Sequence, residues 1–598
     1  MEYVNICLGF FFICFLVRGL FISLRRSKRV APGPFPLPII GNLLLLGDKP
    51  HISLAQLAKK HGPIMNLKLG QINTVVISSS VLAKQVLQKQ DLAFSNRFVP
   101  DALRACNHSG LSVVWLPVNN SQWRTLRKVM NSHIFSGNKL DANEHLRTKK
   151  IQDLIHYCHN CSKVGEAVDM GRASFRTSLN LISNTIFSKD LTDPFSDSAK
   201  EFKELVWNIM VEVGKPNLVD YFPLLKMIDP QGIRWRLTEY FTKVLHLISG
   251  LIDERIKERK MGNRANVDVL DALLNISTDE IDRNHIEHLC LEMFAAGTDT
   301  ISNTLEWAMA ELLKNPHTLE KAQKELEQII GRGKLIDEAD ITKLPYLRCI
   351  VKETFRIHPQ VPFLIQRKTE EDIDFCGYTI PKDSQVLVNV WAIGRDSSLW
   401  EDPLDFKPER FWESEIDFKG RDFELIPFGA GRRICPGLPL AIKMVPAALG
   451  SLLNTFNWKL HGGIAPKDLD MEESFGITLA KTQPLLAIPI PGFKLVVKRA
   501  TVVKPKKAPA TKEKSTSSST VVAAAKPKAT ILKKKVVVKK SKPTATATKQ
   551  GKKTVTALAK AKKTLVKKAT IAKVKKTSVK KVMKKPKTVK SLAKKAKK

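Results

Sequence analysis

The stretch Pro427–Gly437, PFGAGRRICPG, places a single cysteine among three glycines and two adjacent arginines. An apolar helical pattern, LPLAIKMVPAALGSLLNTF, follows it directly. Because free backbone N–H groups and the helix dipole favour negative charge at the start of a helix, they lower the pKa of a thiol there. The stretch therefore predicts an anionic sulfur at Cys435, in a loop whose glycines let the backbone approach a ligand closely.

The other eight cysteines show no pairing pattern. They are scattered along the chain and the total of nine is odd, which indicates a reducing compartment without a disulfide framework. One close pair, Cys158 and Cys161, stands beside His156 and His159 in HYCHNCSK. A zinc site and a solvated helix end both remain open for this pair, and the lack of a second ligand pair at metal spacing favours the helix end.

A long helix is predicted between Ser277 and Pro316, because apolar residues recur there at three- and four-residue spacing. Ser277 and Glu280 form a capping box at its start, and Pro316 closes it. At a rise of 1.5 Å per residue this helix is roughly 50 Å long, so it crosses the whole body of the protein.

The middle of this helix reads AAGTDT, Ala295–Thr300, and combines glycine with poor helix formers. The glycine alone costs about 1 kcal/mol of helix stability. Two interpretations stay open at this point. Small residues let a flat ligand approach the helix backbone, with Asp299 and Thr300 as a proton path at the same level, or they form a packing notch for another helix.

Two further stretches carry charges that combine across the sequence. KETFRIHP places Glu353 and Arg356 three residues apart on one helical face, which alone contributes a few tenths of a kcal/mol. PERF adds Arg410, which would complete a buried Glu-Arg-Arg cluster.

These four motifs, in this order and spacing, resemble the cytochrome P450 family of haem-thiolate monooxygenases. The family signature Phe-x-x-Gly-x-Arg-x-Cys-x-Gly is matched here at every position by Phe428, Gly431, Arg433, Cys435 and Gly437. The resemblance covers about residues 32–490 and implies that Cys435 is the axial thiolate ligand of the iron of haem b. Such thiolate ligation pushes electron density toward the iron and favours O–O cleavage.

The resemblance also implies roles for residues outside the signature. Side chains that hold the haem propionates map onto Trp123, Arg127, Arg367 and Arg433. Glu353, Arg356 and Arg410 would form a structural cluster that holds the proximal face of the haem.

The implied catalytic residues are Asp299 and Thr300. Thr300 would position dioxygen, and Asp299 with ordered water would supply protons. The family has a second Thr or Ser after this threonine, whereas here Ile301 stands before Ser302. A haem enzyme that rearranges a peroxide without dioxygen is a further alternative, and the retained Thr300 argues against it.

The implied fold is mainly α (α+β), with a large helical domain around a long central helix and a small β-rich domain. The alternating pattern of Gly62–Ser79 predicts a hairpin, and Asp372–Gly394 predicts two further short strands. No Gly-x-Gly-x-x-Gly fingerprint for a dinucleotide follows a strand. The resemblance therefore implies that NADPH is used indirectly, through a membrane-bound NADPH-cytochrome reductase whose acidic surface would meet basic residues such as Arg432.

Three stretches look like the plant group of this family that includes geraniol 8-hydroxylase, namely Val213–Arg236, EWAMAELL and GYTIPKDSQVLVNVWAIGRD. That group oxidises monoterpenols, some diterpenes and some phenolics. We expect hydroxylation of a small lipophilic metabolite such as geraniol, with a phenolic or diterpene oxidase as the alternative. The pocket is expected from Ala105–Asn119, Ala295, Thr298, Val361–Leu364 and Phe475–Leu479.

The amino-terminal residues 1–24 predict a transmembrane anchor, because Val4–Leu24 is almost wholly apolar and about 20 such residues span a bilayer. A basic cluster follows and places the body in the cytosol, which indicates a single-pass protein of the endoplasmic reticulum. A cleavable signal peptide is the alternative, and no small-x-small cleavage site supports it. Residues 25–42 add a basic stop and a proline-rich hinge, which holds the chain extended.

The formal net charge of +39 belongs almost wholly to residues 501–598, where 34 lysines and one glutamate give +33 and leave +6 for the rest. This segment has no aromatic residue, so it predicts disorder. We therefore divide the chain into anchor (1–24), hinge (25–42), monooxygenase domain (43–490), and junction with a disordered lysine-rich tail (491–598).

The tail looks like the carboxyl-terminal tail of a linker histone. Polylysine binds nucleic acid without sequence specificity, and at a membrane it meets anionic lipids. A fusion without selected function is the favoured interpretation of the tail. The alternative from another functional class is a nucleic-acid-binding fusion protein whose oxidase body is inactive.

Overall fold

The computed structural model of the protein describes residues 29–192, 198–262, 268–276 and 281–491, together with Tyr3 and Gly9. The remainder of the predicted anchor and the tail from residue 492 onward lie outside these ranges. The described body is mostly helical with small sheets, which confirms the predicted mainly α (α+β) class.

The helices of the described ranges alternate between short surface turns and long core elements. They are α1 (Pro50–His61), α2 (Ser80–Lys84), α3 (His108–Leu111), α4 (Ser121–Val129), α5 (Gly137–Ala142), α6 (Glu144–Val164), α7 (Met170–Phe187), α8 (Ser198–Gly214), α9 (Leu218–Tyr221), α10 (Ile233–Lys260), α11 (Val269–Asn275), α12 (Arg283–Lys314), α13 (Pro316–Ile329), α14 (Pro345–Ile357), α15 (Val390–Ile393) and α16 (Leu438–Thr455).

The strands of the described ranges form four small sheets. They are β1 (Ile64–Leu69), β2 (Ile72–Ile77), β3 (Asn96–Arg97), β4 (Val168–Asp169), β5 (Arg367–Lys368), β6 (Ile373–Phe375), β7 (Tyr378–Ile380), β8 (Gln385–Val388), β9 (Phe456–Leu460), β10 (Glu473–Phe475), β11 (Leu479–Lys481) and β12 (Leu486–Pro491). The sheet orders are β1-β2-β8-β5-β3, β4-β12-β9, β6-β7 and β10-β11.

The central helix α12 crosses the core, as its length predicts. It runs from Arg283 to Lys314, and 24 of its 32 residues are buried. Its capping box consists of Asp282 and His285 rather than Ser277 and Glu280, and the latter two lie outside the described residues. Because α12 is mostly buried and packs along α7, the core of the protein positions the side chains at its middle.

The five-stranded sheet confirms the predicted hairpin between Gly62 and Ser79. Strands β1 and β2 pair antiparallel, with Leu69 opposite Ile72. β2 then pairs parallel with β8, Val75 opposite Val386. The segment between residues 372 and 394 contains three strands and the short helix α15, where two strands were predicted, because Gly377 at φ +85° makes a tight turn within it.

The proline-rich hinge lies against this sheet. The backbone N–H of Asn66 in β1 donates to Pro32 O at 2.8 Å, and Asn42 N donates to Lys68 O at 2.5 Å. From Pro32 onward the hinge is thus hydrogen-bonded to β1. It is not extended throughout as its prolines predict, because the chain turns back between Leu37 and Gly41, which pair antiparallel.

Two predictions about special segments can be compared with the described residues. Cys158 and Cys161 are buried in α6 while His156 is exposed, so the cysteines belong to the core and the solvated helix end is wrong. Among the described residues no group of three His, Cys, Asp or Glu side chains is arranged to hold a metal ion. The one described helix long and apolar enough to cross a membrane is α16, and 78% of it is buried in the protein, as befits a core helix.

Candidate active site

The Cys435 loop connects a single 3-10 turn, Gly431–Arg433, to the start of α16. Cys435 N donates to Phe428 O at 3.0 Å and closes the loop. Gly431 has φ +70°, and a Cβ there would lie 2.1 Å from Leu87 O, so this position requires glycine. At Gly437 a Cβ would meet Cys435 Sγ at an ordinary 3.7 Å, so the structure leaves room for a side-chain atom at that position.

Opposing effects act on the Cys435 thiol. Removal of the sulfur from water raises its pKa, and this effect is larger than the combined effect of the groups that lower it. Those groups are the backbone N–H groups of Gly437 and Leu438 and the charge of Arg127. The expected net lowering by the helix start is therefore outweighed by burial, and a coordinated metal cation is what deprotonates such a thiol outright.

Arg433 and Arg367 stand beside this loop and are buried. Arg433 donates from Nε to Ser95 O at 2.9 Å and lies 4.8 Å from the centre of the Trp123 ring. Burial first, and neighbouring guanidiniums second, lower the pKa of Arg433 to about 9. Burial lowers the pKa of Arg367 to about 10, and its Nε is buried with no hydrogen-bond partner in the structure.

Arg127 and Arg97 complete a group of four guanidiniums, which we call the arginine cluster. Arg127 donates to Ile434 O, next to Cys435. Arg97 donates to Ile365 O at 2.6 Å. The pKa of Arg97 lies well below its ordinary value, because the group is withdrawn from water and the other three guanidiniums repel its charge.

Arg97 was missed by the sequence reasoning. In the sheet it lies directly opposite Arg367, as β3 pairs with β5. The two paired arginines are about 270 positions apart along the chain, so no local pattern indicates that they meet. An arginine at the end of a two-residue strand carries no signal of its own.

The arginine cluster fits the two carboxylates of haem propionates. These four like charges have few acidic partners. The Asp91 carboxylate lies 3.8 Å from Arg367 Nη1, and it is shared with Arg432, which is outside the cluster, at 3.3 Å. The orphaned Nε of Arg367 and the repulsion at Arg97 both indicate a site prepared for anionic groups. With the Cys435 sulfur beside it, the chemistry of this donor set fits the group that the resemblance implies.

The Ser112–Leu116 loop is held by its backbone from two sides. Glu292 of α12 accepts from two of its N–H groups at 3.3 Å and from the Ser112 hydroxyl. On the other side, Arg433 donates to carbonyl oxygens of the loop, including Val113 O at 3.1 Å. Trp123 Nε1 donates to the same Val113 O, also at 3.1 Å. Burial raises the pKa of Glu292 to about 7. The loop therefore joins the central helix to the arginine cluster.

The middle of α12 presents small residues on two sides. A Cβ on Gly297 would approach Ile182 of α7 to 3.1 Å, so Gly297 forms the packing notch. Ala296 is exposed in this otherwise buried helix, and the hydroxyl of Thr300, one turn further on, donates to Ala296 O at 2.7 Å. The packing interpretation thus holds for Gly297, while Ala296 and Thr300 offer the open surface that a flat ligand needs.

The Asp299 side chain is buried, and its hydrogen-bond partners differ from that of the Thr300 hydroxyl. Its Oδ2 accepts a hydrogen bond from Thr478 Oγ1 at 2.6 Å and another from Asn303 Nδ2 at 3.2 Å. The two predicted catalytic residues are therefore adjacent in sequence, but their side chains bond to different parts of the protein.

The predicted structural cluster is brought together. Glu353 is fully buried, and it accepts from Arg356 Nε at 2.7 Å and from Arg410 Nε at 2.9 Å. Arg356 also donates from Nη2 to Glu353 at 2.8 Å. This geometry joins α14 to the PERF segment by direct ion pairs.

A cavity of about 100 Å³ lies beside the five-stranded sheet and is lined by Leu69 of β1 and Leu387 of β8. Predicted pocket residues that line it are Trp115, Val361–Leu364 and Phe475–Ile477. Ala295 and Thr298 do not line it, and Thr298 is fully buried. The lining also includes residues from the end of α8 and from α9, among them Gly214, Asp220 and Tyr221. Sequence reasoning missed them because only the packing of these elements brings them to the cavity.

The comparisons with known proteins agree with this geometry. The sequence profile of the cytochrome P450 family matches residues 31–487. Geraniol 8-hydroxylase of Catharanthus roseus is 67% identical over 492 residues, which cover 82% of this chain and 99% of that protein. The protein of the same name from Swertia mussotii is 64% identical over 82% of this chain and 99% of its own length. Lauric acid 10-hydroxylase of Petunia hybrida is 57% identical, over 82% of this chain and its entire length.

Proposed function

This chain belongs to the cytochrome P450 family of monooxygenases, and we propose that it hydroxylates a small lipophilic plant metabolite, a monoterpenol such as geraniol. The observation that carries the proposal is the Cys435 loop beside the arginine cluster, which together fit a haem with its thiolate ligand and its propionates. The names of the two relatives that are more than 60% identical support the substrate.

Different residues would hold different parts of the haem. Haem supplies the iron that activates dioxygen when it is bound by a thiolate. Cys435 would bind the haem iron through its sulfur, and the arginine cluster with Trp123 would hold the propionates. Glu353, Arg356 and Arg410 would keep the loop framework in place behind the haem.

The catalytic pair would act on protons and oxygen. Ala296 and Thr300 leave an open surface on α12. The Thr300 hydroxyl, whose one proton goes to Ala296 O in the structure, would rotate to donate it to dioxygen. Asp299, with ordered water, would relay protons from solvent to that surface. A buried carboxylate is suited to this because its charge is held by hydrogen bonds and not by bulk water.

The cavity favours an apolar substrate. Its walls include Trp115, Val361, Phe363, Phe475 and Ile477, and they also carry polar side chains such as Asn217 and Gln366. Apolar walls with a few placed polar groups are typical of sites for small molecules, and an alcohol with an apolar body fits such a mixture. The Petunia relative is named for a fatty acid, so lauric acid is the second candidate substrate.

Electrons would come from an NADPH-cytochrome reductase. Arg432 borders the Cys435 loop and half of its side chain is exposed, so it is available to an acidic partner. We further propose that residues 1–24 anchor the protein in the endoplasmic reticulum membrane with the body in the cytosol, and that the lysine-rich tail binds anionic lipids or nucleic acid without sequence specificity.

Replacing the sulfur tests the proposal most directly. The full chain, produced with a plant reductase in microsomes, should give the red-shifted carbon monoxide spectrum of a thiolate-ligated haem and should hydroxylate geraniol. Cys435→Ser should abolish both, whereas Cys376→Ser, which changes an exposed cysteine, should change neither. An unaltered spectrum in Cys435→Ser would refute the ligand, and turnover of lauric acid in place of geraniol would favour the second candidate.

A further inference from the structure

The turn between β10 and β11 reaches the central helix through one buried hydroxyl. Thr478 is 6% exposed, and its Oγ1 donates to Asp299 Oδ2 at 2.6 Å. Asn303 Nδ2 donates to the same oxygen at 3.2 Å. Thr478 therefore makes a shorter hydrogen bond to this oxygen than Asn303 does, and it reaches the carboxylate from outside α12.

The residues after Thr478 fix the turn to the core. Leu479 N donates to Gln360 O at 2.9 Å, and Trp307 Nε1 donates to Leu479 O at 3.2 Å. The hydroxyl is thus presented to Asp299 from a backbone that is hydrogen-bonded on both its N–H and its C=O side.

The residues before Thr478 face the cavity. Gly476 and Ile477 line it, together with Val213 and Gly214 from the end of α8. The fit is close, since a Cβ on Gly214 would lie 2.1 Å from Ile477 N. Whatever occupies the cavity is consequently one residue away from the hydroxyl that holds Asp299.

We infer that Thr478 is a positioning residue for Asp299, which links occupancy of the cavity to the orientation of the carboxylate that supplies protons. The inference rests on the proposed function. The Thr300 hydroxyl donates to Ala296 O within its own helix, so of the predicted proton path only Asp299 is bonded to the turn beside the cavity.

The consequence can be written as two competing reactions. Hydroxylation follows RH + O₂ + NADPH + H⁺ → ROH + H₂O + NADP⁺. When protons arrive at the wrong place, the same electrons are lost through O₂ + NADPH + H⁺ → H₂O₂ + NADP⁺. A carboxylate that has lost its positioning hydroxyl should therefore shift NADPH consumption from product to hydrogen peroxide.

Thr478→Val removes the hydroxyl and keeps the shape of the side chain, and Thr478→Ser keeps the hydroxyl. Thr177→Val is the matched control, since Thr177 is also buried and its hydroxyl bonds only within α7, to Ala173 O. In the reductase-coupled enzyme, Thr478→Val should form about fivefold less product per NADPH, since general acid catalysis depends on a positioned donor. Thr478→Ser and Thr177→Val should stay within about twofold of the unaltered protein, as each retains the contact to Asp299.

A second measurement needs no turnover. A double-mutant cycle between Thr478→Val and Asp299→Asn, read from urea unfolding of the haem-loaded chain, should be non-additive, whereas the cycle with Thr177→Val should be additive. The inference would be overturned if the two substitutions were additive, or if Thr478→Val formed as much product per NADPH as Thr177→Val. In either case, normal turnover by the unaltered protein would leave the proposed function standing. An unaltered protein that binds no haem would instead refute the proposed function.

Discussion

Glu353 provides the sharpest test of how the body is held together. It is fully buried and accepts four hydrogen bonds, two from Arg356, one from Arg410 and one from the backbone N–H of Lys407. Glu353→Gln keeps the shape but removes the charge and replaces one acceptor by a donor. Two guanidiniums then remain in the interior without their counter-charge.

The expected cost follows from these contacts. Breaking a buried ion pair by removing one partner destabilises a protein by about 3–5 kcal/mol. Arg356 retains three carbonyl acceptors, of Gly394, Pro403 and Asp405, so its hydrogen bonds stay partly satisfied. We therefore expect a loss of about 3 kcal/mol, at the lower end of that range.

Urea unfolding followed by tryptophan fluorescence measures this loss. The matched control is Glu320→Gln, which breaks an exposed ion pair with Lys324 and should produce no measurable change. If the two variants unfold at the same urea concentration, then the buried cluster does not hold the structure in the way its geometry indicates.

Three further outcomes are expected. The pKa of Glu292 is about 7 in the folded protein against an ordinary 4.5. Between these pH values the folded chain therefore binds more protons than the unfolded chain, and its stability should fall as the pH rises from 4.5 to 7. The unfolding free energy of the unaltered protein should drop by roughly 3 kcal/mol more than that of Glu292→Gln between pH 4.5 and 7. The same pH dependence in both proteins would refute this. Arg97→Met should stabilise the haem-free chain, because it removes the repulsion between Arg97 and the other three guanidiniums. It should also speed the transfer of haem to an acceptor protein, and slower transfer would contradict the propionate role. Deleting residues 501–598 should leave haem content and turnover unchanged but abolish salt-sensitive sedimentation with anionic lipid vesicles, and a loss of haem on truncation would be contrary to that expectation.

The features that the sequence predicts well are those with a local pattern. The β1–β2 hairpin follows from alternation and a two-residue turn, and α12 follows from apolar spacing over eight turns. The start of α12 was placed six residues too early because Ser277 and Asp282 both offer a capping side chain, and only the chain's packing selects between them.

The site residues divide along the same line. Cys435 and Gly431 lie in a contiguous motif whose spacing carries the chemistry. Arg97 and Thr478 contribute through partners about 270 and 180 positions away, so their roles depend on a fold that no short window of sequence contains. Burial is equally non-local, which is why the raised pKa of the Cys435 thiol could not be anticipated from the helix start alone.

The Ser112–Leu116 loop has a consequence for how such an enzyme can diversify. Its main chain is hydrogen-bonded to the Glu292 carboxylate on one side and to the Arg433 guanidinium on the other. Trp115 is the residue of this loop that lines the cavity, and its side chain takes no part in those bonds. A substitution there can therefore alter the wall of the cavity by a single step that leaves the contacts between the loop and the arginine cluster in place.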